Sequence, residues 1–149
     1  MIIVNIPREP SPPSPLNRLA ARGRVGVYDD SDMTTFADRR ASAEGDSATG
    51  QVNLGWMYEN GRGVARDDGE EVTWYRKVAD HGHAGGQFNL GRMYQAGRGV
   101  PQDDGEAVTW YRKAADQGHA AGQFNLGCMY RDGRGVPQDD GEAARWCRL

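Results

Sequence analysis

Three histidines are the first residues in this chain whose types and spacing could support chemistry. His81 and His83 stand two residues apart, and His119 occupies the same place as His83 in the next copy of a repeat described below. A metal site of useful affinity needs three or four convergent ligands, and the sequence near this pair offers no third ligand. We therefore predict no metal site and interpret these histidines as parts of solvated turns, placed where a helix begins.

Paired aspartates could act as a general acid and a general base. Such a pair needs burial to separate its two pKa values, and a hydrophilic loop provides little burial. Negative charge at a helix start instead fills the cap and stabilises the helix dipole, so we interpret the pairs as caps. We also expect them to pair with a ladder of arginines along one edge. The aspartates are Asp67, Asp68, Asp103, Asp104, Asp139 and Asp140, and the arginines are Arg62, Arg98 and Arg134.

The two cysteines, Cys128 and Cys147, are the candidate nucleophiles. Cys128 has no histidine in its own copy of the repeat, and the equivalent positions of the other copies hold Trp56 and Arg92. A nucleophile needs an adjacent base and a third group that orients the base. The Gly-Arg-Gly-Val loops follow a helix rather than a strand, and they carry neither a third glycine at dinucleotide spacing nor Gly-Lys-Ser/Thr, so they do not fit a phosphate cradle. We predict no catalytic residue, no enzyme activity and no cofactor.

The elements that must position these residues follow a repeat of 36 positions. The run from Gly97 to Ala107 returns unchanged from Gly133 to Ala143. Such a period is typical of stacked helical units that bury their apolar faces on their neighbours. We predict an all-α, right-handed α/α solenoid of helix-turn-helix repeats over residues 34–149. It comprises a degenerate half repeat at 34–50, full copies at 51–86 and 87–122, and a truncated copy at 123–149.

The first 33 residues differ in composition from the repeats. Five prolines fall between positions 7 and 15, a composition that favours extended polyproline conformation and opposes core formation. We predict that residues 1–33 form a disordered leader. The sequence leaves open whether Met1 or Met33 is the natural start, and whether the chain is a fragment of a longer array.

Each full copy shows two helical periods. In the second copy, helix B carries one apolar stripe that includes Trp110, and Asp103 and Gly118 mark its ends. Helix A runs from Ala84 to about Gln95 and is apolar on two sides, and Gly91 allows a close helix approach that offsets its low helix propensity. The predicted repeat core comprises Leu54, Tyr58, Trp74, Leu90, Tyr94, Trp110, Leu126, Tyr130 and Trp146.

These motifs resemble the Sel-1-like repeat, which belongs with the tetratricopeptide-type helical solenoids. The resemblance rests on Leu-Gly-x-Met-Tyr, Gly-Arg-Gly-Val-Pro-x-Asp and Ala-x-x-Trp-Tyr-Arg-Lys-Ala-Ala, and it covers residues 51–149. It implies an adaptor or scaffold that presents a concave face, lined by A helices, to a protein or peptide. Cysteine-rich relatives have been credited with beta-lactam hydrolysis, so a weak hydrolase is the alternative. The Ser-x-x-Lys motif of serine beta-lactamases is missing here.

Positions of helix A that differ between copies are the candidate contacts with a partner. Packing positions should repeat, whereas outward positions are free to vary, and Trp and Arg are favoured at binding hot spots. An equally weighted interpretation is that these side chains simply face solvent. The candidates are Trp56, Arg92 and Cys128 at one level and Glu59, Gln95 and Arg131 at another.

Composition narrows the partner class further. The net charge is −3, with 18 basic and 21 acidic residues, which argues against a nucleic-acid surface. No apolar run approaches the roughly 20 residues of a membrane span, and no signal peptide is visible, so we expect no membrane partner and favour a cytoplasmic location. The apolar face around Ala143, Trp146 and Leu149 predicts self-association through the truncated copy.

Overall fold

The computed structural model describes residues 30–147, which fold into seven helices with no strand among them. Residues 1–29 of the predicted leader lie outside the described residues. Residues 30–33, also predicted as leader, belong to the first helix, which therefore begins before the predicted boundary at Thr34. The helices are α1 (Asp30–Glu44), α2 (Ala48–Asn60), α3 (Asp68–Asp80), α4 (Ala84–Ala96), α5 (Asp104–Asp116), α6 (Ala120–Asp132) and α7 (Asp140–Cys147).

The helices pack in the order in which they follow one another in the chain. Helices α2, α4 and α6 are the A helices of the three copies, α3, α5 and α7 are the B helices, and α1 covers α2. Packing on sequence neighbours is the arrangement of a solenoid, in which each repeat contacts only the adjacent ones. The predicted all-α solenoid of helix-turn-helix repeats is confirmed.

Each B helix begins at an aspartate, as the capping interpretation predicts. Asp67 Oδ1 accepts from the backbone N–H groups of Gly69 and Glu70 at 2.9 and 3.0 Å. Asp103 Oδ1 accepts from Glu106 at 3.0 Å, and Asp139 Oδ1 makes the same bond one repeat later at 2.9 Å. The first aspartate of each pair is thus occupied by backbone N–H groups that would otherwise lack a partner.

Close approaches between helices depend on glycine. A Cβ atom on Gly91 of α4 would lie 2.8 Å from the ring of Tyr111 in α5, so the close approach predicted at Gly91 is confirmed. In the loop after α4, Gly99 has a φ of +66° and a Cβ there would collide with the backbone oxygen of Asp68. Gly135 makes the same approach to Asp104, so the loops after α4 and α6 are each seated against the start of the preceding B helix.

A glutamine makes the same contact at each junction between a B helix and the next A helix. Gln51 Nε2 donates to the Ala43 carbonyl oxygen at 3.1 Å, and Gln87 donates to Ala79 at 3.3 Å. Gln123 donates to the carbonyl oxygen of Ala115 at 3.3 Å. Each of these carbonyl oxygens lies in the last turn of the preceding helix and also accepts from a backbone N–H, so the glutamine is its second donor.

Candidate functional site

The predicted repeat core is buried to different degrees along the array. Three leucines and two tryptophans are buried, as is Tyr58. Tyr94 and Tyr130 are only half-buried, because their hydroxyls reach the surface and accept hydrogen bonds from Arg76 and Arg112 of the preceding B helix. Trp146 in α7 is half-buried as well. The fully or nearly buried members are Leu54, Leu90, Leu126, Trp74 and Trp110.

The level of Trp56 faces outward along the A helices. Trp56 is 45% exposed and Arg92 is exposed, whereas Cys128 is half-buried. Arg92 stacks over the ring of Phe88 with 6.0 Å to the ring centroid. This level therefore presents an indole, a guanidinium and a thiol from three successive copies on one face.

The level of Glu59 is engaged within the protein. Glu59 accepts from the Tyr75 hydroxyl and from Arg98, both at 3.4 Å, and lies 3.6 Å from Arg92. One copy later, Gln95 Oε1 accepts from the Tyr111 hydroxyl at 2.6 Å. These two predicted contact residues thus hold a tyrosine of their own helix pair, a role that their sequence variability did not reveal.

Arg131 completes this level in the third copy. It is exposed and pairs with Asp132, with 2.8 Å between Nε and Oδ1. It also lines a mostly apolar cleft of about 260 Å³ between α6 and α7, which contains Phe124, Cys128 and Cys147. No histidine lies among the residues that line this cleft, and its acidic residue is Asp140.

Glu71 is the functional group that sequence reasoning missed. Its carboxylate lies 2.8 Å from Arg98 Nη2, and the residue is only 1% exposed. Desolvation raises the pKa of Glu71 to about 7, against the attraction of Arg98 and with the help of repulsion from Glu59 and Asp68. The equivalent residues of the later copies are Ala107 and Ala143, so an ionisable residue at a buried stripe position was the available signal.

Two of the three arginines of the predicted ladder pair with aspartates, whereas Arg62 forms no ion pair among residues 30–147. Arg98 Nη2 lies 3.4 Å from Asp68 Oδ1, and Arg134 Nη2 lies 3.0 Å from Asp104 Oδ1. Each of these two arginines therefore connects one loop to the start of the preceding B helix. Arg98 differs from Arg134 in being shared among three carboxylates, those of Asp68, Glu59 and Glu71.

A polar cavity of about 270 Å³ opens on this face between successive repeats. Its wall carries guanidinium groups and amides, which can donate hydrogen bonds to carboxylates and to peptide carbonyl oxygens. Two of the predicted contact residues, Arg92 and Gln95, lie in its wall. The other polar residues that line it are Glu71, Tyr75, Asn89, Arg98, Asn125 and Arg134.

The histidines take three different roles. His81 Nδ1 lies 2.7 Å from the Lys77 carbonyl oxygen, and His83 precedes α4 without a side-chain capping bond. His119 is half-buried, stacks on Phe88 and accepts from the Gly122 N–H at 3.1 Å. His119 thus stands at the start of α6, as the sequence interpretation places it, and Phe88 stacks on its ring. Within residues 30–147, no group of three metal-ligating side chains occurs.

No helix in the described part of the chain combines the length and apolar character that a membrane span requires.

Comparison with known proteins identifies the repeat. The family model described as Sel1 repeat matches residues 48–83, 84–119 and 120–149. No curated protein sequence matches the chain. The matched units start three positions ahead of the predicted copies, at the first residues of the A helices α2, α4 and α6.

Solved structures show the same architecture. A protective antigen of uropathogenic Escherichia coli with an SLR fold is 34% identical, with a TM-score of 0.76 over 89% of this chain. The chain spans only 28% of that antigen. A Sel1 repeat protein from Oxalobacter formigenes is 36% identical, with a TM-score of 0.67 over 74% of this chain and 83% of that one. Cysteine-rich protein B of Helicobacter pylori shares the fold, with 19% sequence identity and a TM-score of 0.59. The match covers 74% of this chain and 84% of that protein.

Proposed function

This chain belongs to the Sel1 repeat family, and from that membership we propose that it binds an extended segment of another protein along its A helices. Sel1 repeat proteins are commonly protein-interaction scaffolds, and the family is generally non-catalytic. The finer role proposed here is that of an adaptor whose ligand lies across α2, α4 and α6. A protein partner also suits the acidic net charge of the chain.

The polar cavity on the A-helix face is the observation that carries this proposal. It gathers arginines and amides from two successive copies into one site of about 270 Å³. Arg98 and Arg134 are already paired with carboxylates of the protein. Arg92 is also paired, but its ion pair with Glu59 is the longest of the three at 3.6 Å and its side chain is exposed, so it is the guanidinium best placed to meet an acidic group of a ligand.

Asparagines extend the polar surface in register with the repeat. Asn53, Asn89 and Asn125 occupy the same position in the three A helices, and each lines a cavity on this face. An asparagine side chain donates and accepts, so it can pair with both polar groups of a peptide unit. A row of such amides can pair with the main chain of an extended peptide. The more variable residues Trp56, Arg92 and Cys128 would then recognise the side chains of that peptide.

A peptide-display selection tests the proposal, because it requires no identified partner. Peptides enriched on the immobilised protein should bind it with micromolar or better affinity and lose at least about tenfold when Asn89 or Arg92 is replaced by alanine. Asp116→Ala, an exposed change on α5, is the matched control and should leave affinity unchanged. Failure to enrich any peptide above an unrelated helical protein, or equal binding by all variants, would refute the proposal.

We propose self-association as a second role, through α6 rather than through the predicted face, of which Ala143 is buried, Trp146 is half-buried and Leu149 lies outside the described residues. Phe124 on α6 is 60% exposed, and an exposed aromatic beside an apolar cleft favours association. Sedimentation of the protein and of a Phe124→Ser variant tests this, since the variant should be the more monomeric. No observation favours the weak hydrolase, which stays an untested alternative.

A further inference from the structure

A second cavity opens between α2 and α4 and has a different character from the polar one. It holds about 290 Å³, is mostly apolar and is open to solvent on one side. Small residues form most of its wall, and a Cβ on Gly85 would meet no atom within 4 Å. An apolar cavity of roughly half that volume accommodates benzene. The wall is formed by Ala48, Thr49, Val52, Asn53, His83, Ala84, Gly85 and Gly86.

The equivalent space between the next two A helices is filled by a side chain of the protein itself. Between α4 and α6, Phe88 stacks on His119 with ring centroids 4.9 Å apart and packs on Tyr111 at 5.9 Å. In the first junction the corresponding residues are Val52, His83 and Tyr75. The histidine and the tyrosine are retained, whereas the phenylalanine between them is replaced by the much smaller valine.

The two histidines differ in a way that follows from this replacement. His119 is held against Phe88 and caps α6 through its Nδ1 atom, which accepts from the Gly122 N–H at 3.1 Å. His83 is exposed and precedes α4 without making the equivalent bond. An aromatic ring between α2 and α4 would give His83 the stacking surface that Phe88 gives His119.

We propose that the cavity between α2 and α4 binds an aromatic side chain of the partner, which stacks on His83 as Phe88 stacks on His119. This inference rests on the proposed peptide-binding role and adds to it the side chain that the partner supplies. A phenyl ring fits best, because the cavity is mostly apolar and offset stacking on the imidazole needs a flat ring. The cavity lies on the A-helix face, as Asn53 in its wall marks the asparagine row.

The test uses a small probe that does not need the rest of the groove. N-acetyl-phenylalanine amide is titrated into the full-length protein, and the backbone amides of Gly85 and Gly86 and the His83 ring are followed by NMR. The matched probe without a ring is N-acetyl-alanine amide. We expect saturable shifts with the first probe only, together with a change in the His83 ring signals towards those of His119.

Two substitutions exchange the junctions. Val52→Phe should fill the cavity from within, raise the melting temperature and abolish the shifts. Phe88→Val should open a second site beside His119 and produce a second set of shifts there. Because Phe88→Val also removes packing, circular dichroism is used to check that this variant is folded. If it is not folded, the result for Val52→Phe decides alone whether the proposal stands.

Three results would overturn the proposal. The first is the absence of saturable shifts in the unsubstituted protein, and the second is their persistence in Val52→Phe. The third is evidence that Phe124 of a second copy occupies the cavity, shown by His83 shifts that grow with protein concentration and vanish in Phe124→Ser. The probe isolates the cavity from the groove, so these failures differ from loss of peptide binding in the Asn89 and Arg92 variants.

Discussion

Replacing Glu71 with glutamine should make the folded protein more stable at neutral and alkaline pH, because it removes a buried carboxyl whose ionisation lowers the free energy of unfolding. The carboxyl is buried beside Arg98, and desolvation raises its pKa to about 7 from an ordinary value of 4.5. Between those two values the unfolded chain releases the proton while the folded protein retains it. The free energy of unfolding therefore falls as pH rises through this window, and the full loss is present above about pH 7.

The size of the effect follows from the difference between the two pKa values. At about 1.4 kcal/mol for each pH unit, the ionised Glu71 costs the folded state about 3 kcal/mol above pH 7. Glutamine has nearly the same shape, can accept from Arg98 and does not ionise. Glu71→Gln should thus match the unsubstituted protein near pH 4 and exceed its stability by up to about 3 kcal/mol at pH 8.

Urea unfolding followed by circular dichroism at several pH values measures this difference. Contributions from other ionisable groups are common to both proteins and cancel when the two curves are subtracted. Glu70→Gln removes an exposed carboxylate from the neighbouring position and is the matched control, which should not reproduce the gain in stability of Glu71→Gln at pH 8. A difference for Glu71→Gln that does not change with pH, or that falls as pH rises, would refute the assignment of a raised pKa to this carboxyl.

Three further substitutions test the packing. Trp110→Ala should cost about 3–5 kcal/mol, and an unchanged thermal unfolding curve would mean that the B-helix stripe is misassigned. Gly91→Ala gains about 1 kcal/mol of helix propensity but meets the Tyr111 ring, so a net loss of up to about 2 kcal/mol is expected in urea unfolding; a gain would show that the ring can move. Gly99→Ala places a side chain at positive φ against the backbone and should lower the melting temperature well below that of Gly82→Ala, which is strained but unobstructed; equal losses would contradict the close seating of the loop.

The fold could be predicted from the sequence because its packing residues return unchanged at a fixed interval. Leu90 and Leu126 recur at one period, and so do the aspartates that cap the B helices, so one copy constrains the others. The 36-residue spacing also implies that equivalent side chains stand in register on one face. This is why the outward level of Trp56 and Arg92 could be anticipated.

The local environment of single residues was much harder to anticipate. Glu71 departs from the alanine of the other copies, yet nothing in the sequence showed that Arg98 would reach it across one repeat. His83 and His119 are identical in type and position, but only the latter caps its helix, and only the latter stacks on a phenylalanine ring. Glu59 and Gln95 vary between copies while both hold a buried tyrosine hydroxyl, so variation there did not indicate a free surface.

The same glutamine bond joins each B helix to the next A helix, so successive repeats are connected by equivalent contacts. Gln51, Gln87 and Gln123 each reach the carbonyl oxygen eight residues earlier, so every junction is joined by the same connector. A duplication of one 36-residue unit in the gene would therefore carry both halves of the connector with it. An array built this way can lengthen by in-frame duplication without a new kind of interface, and the face formed by its A helices grows by the same step.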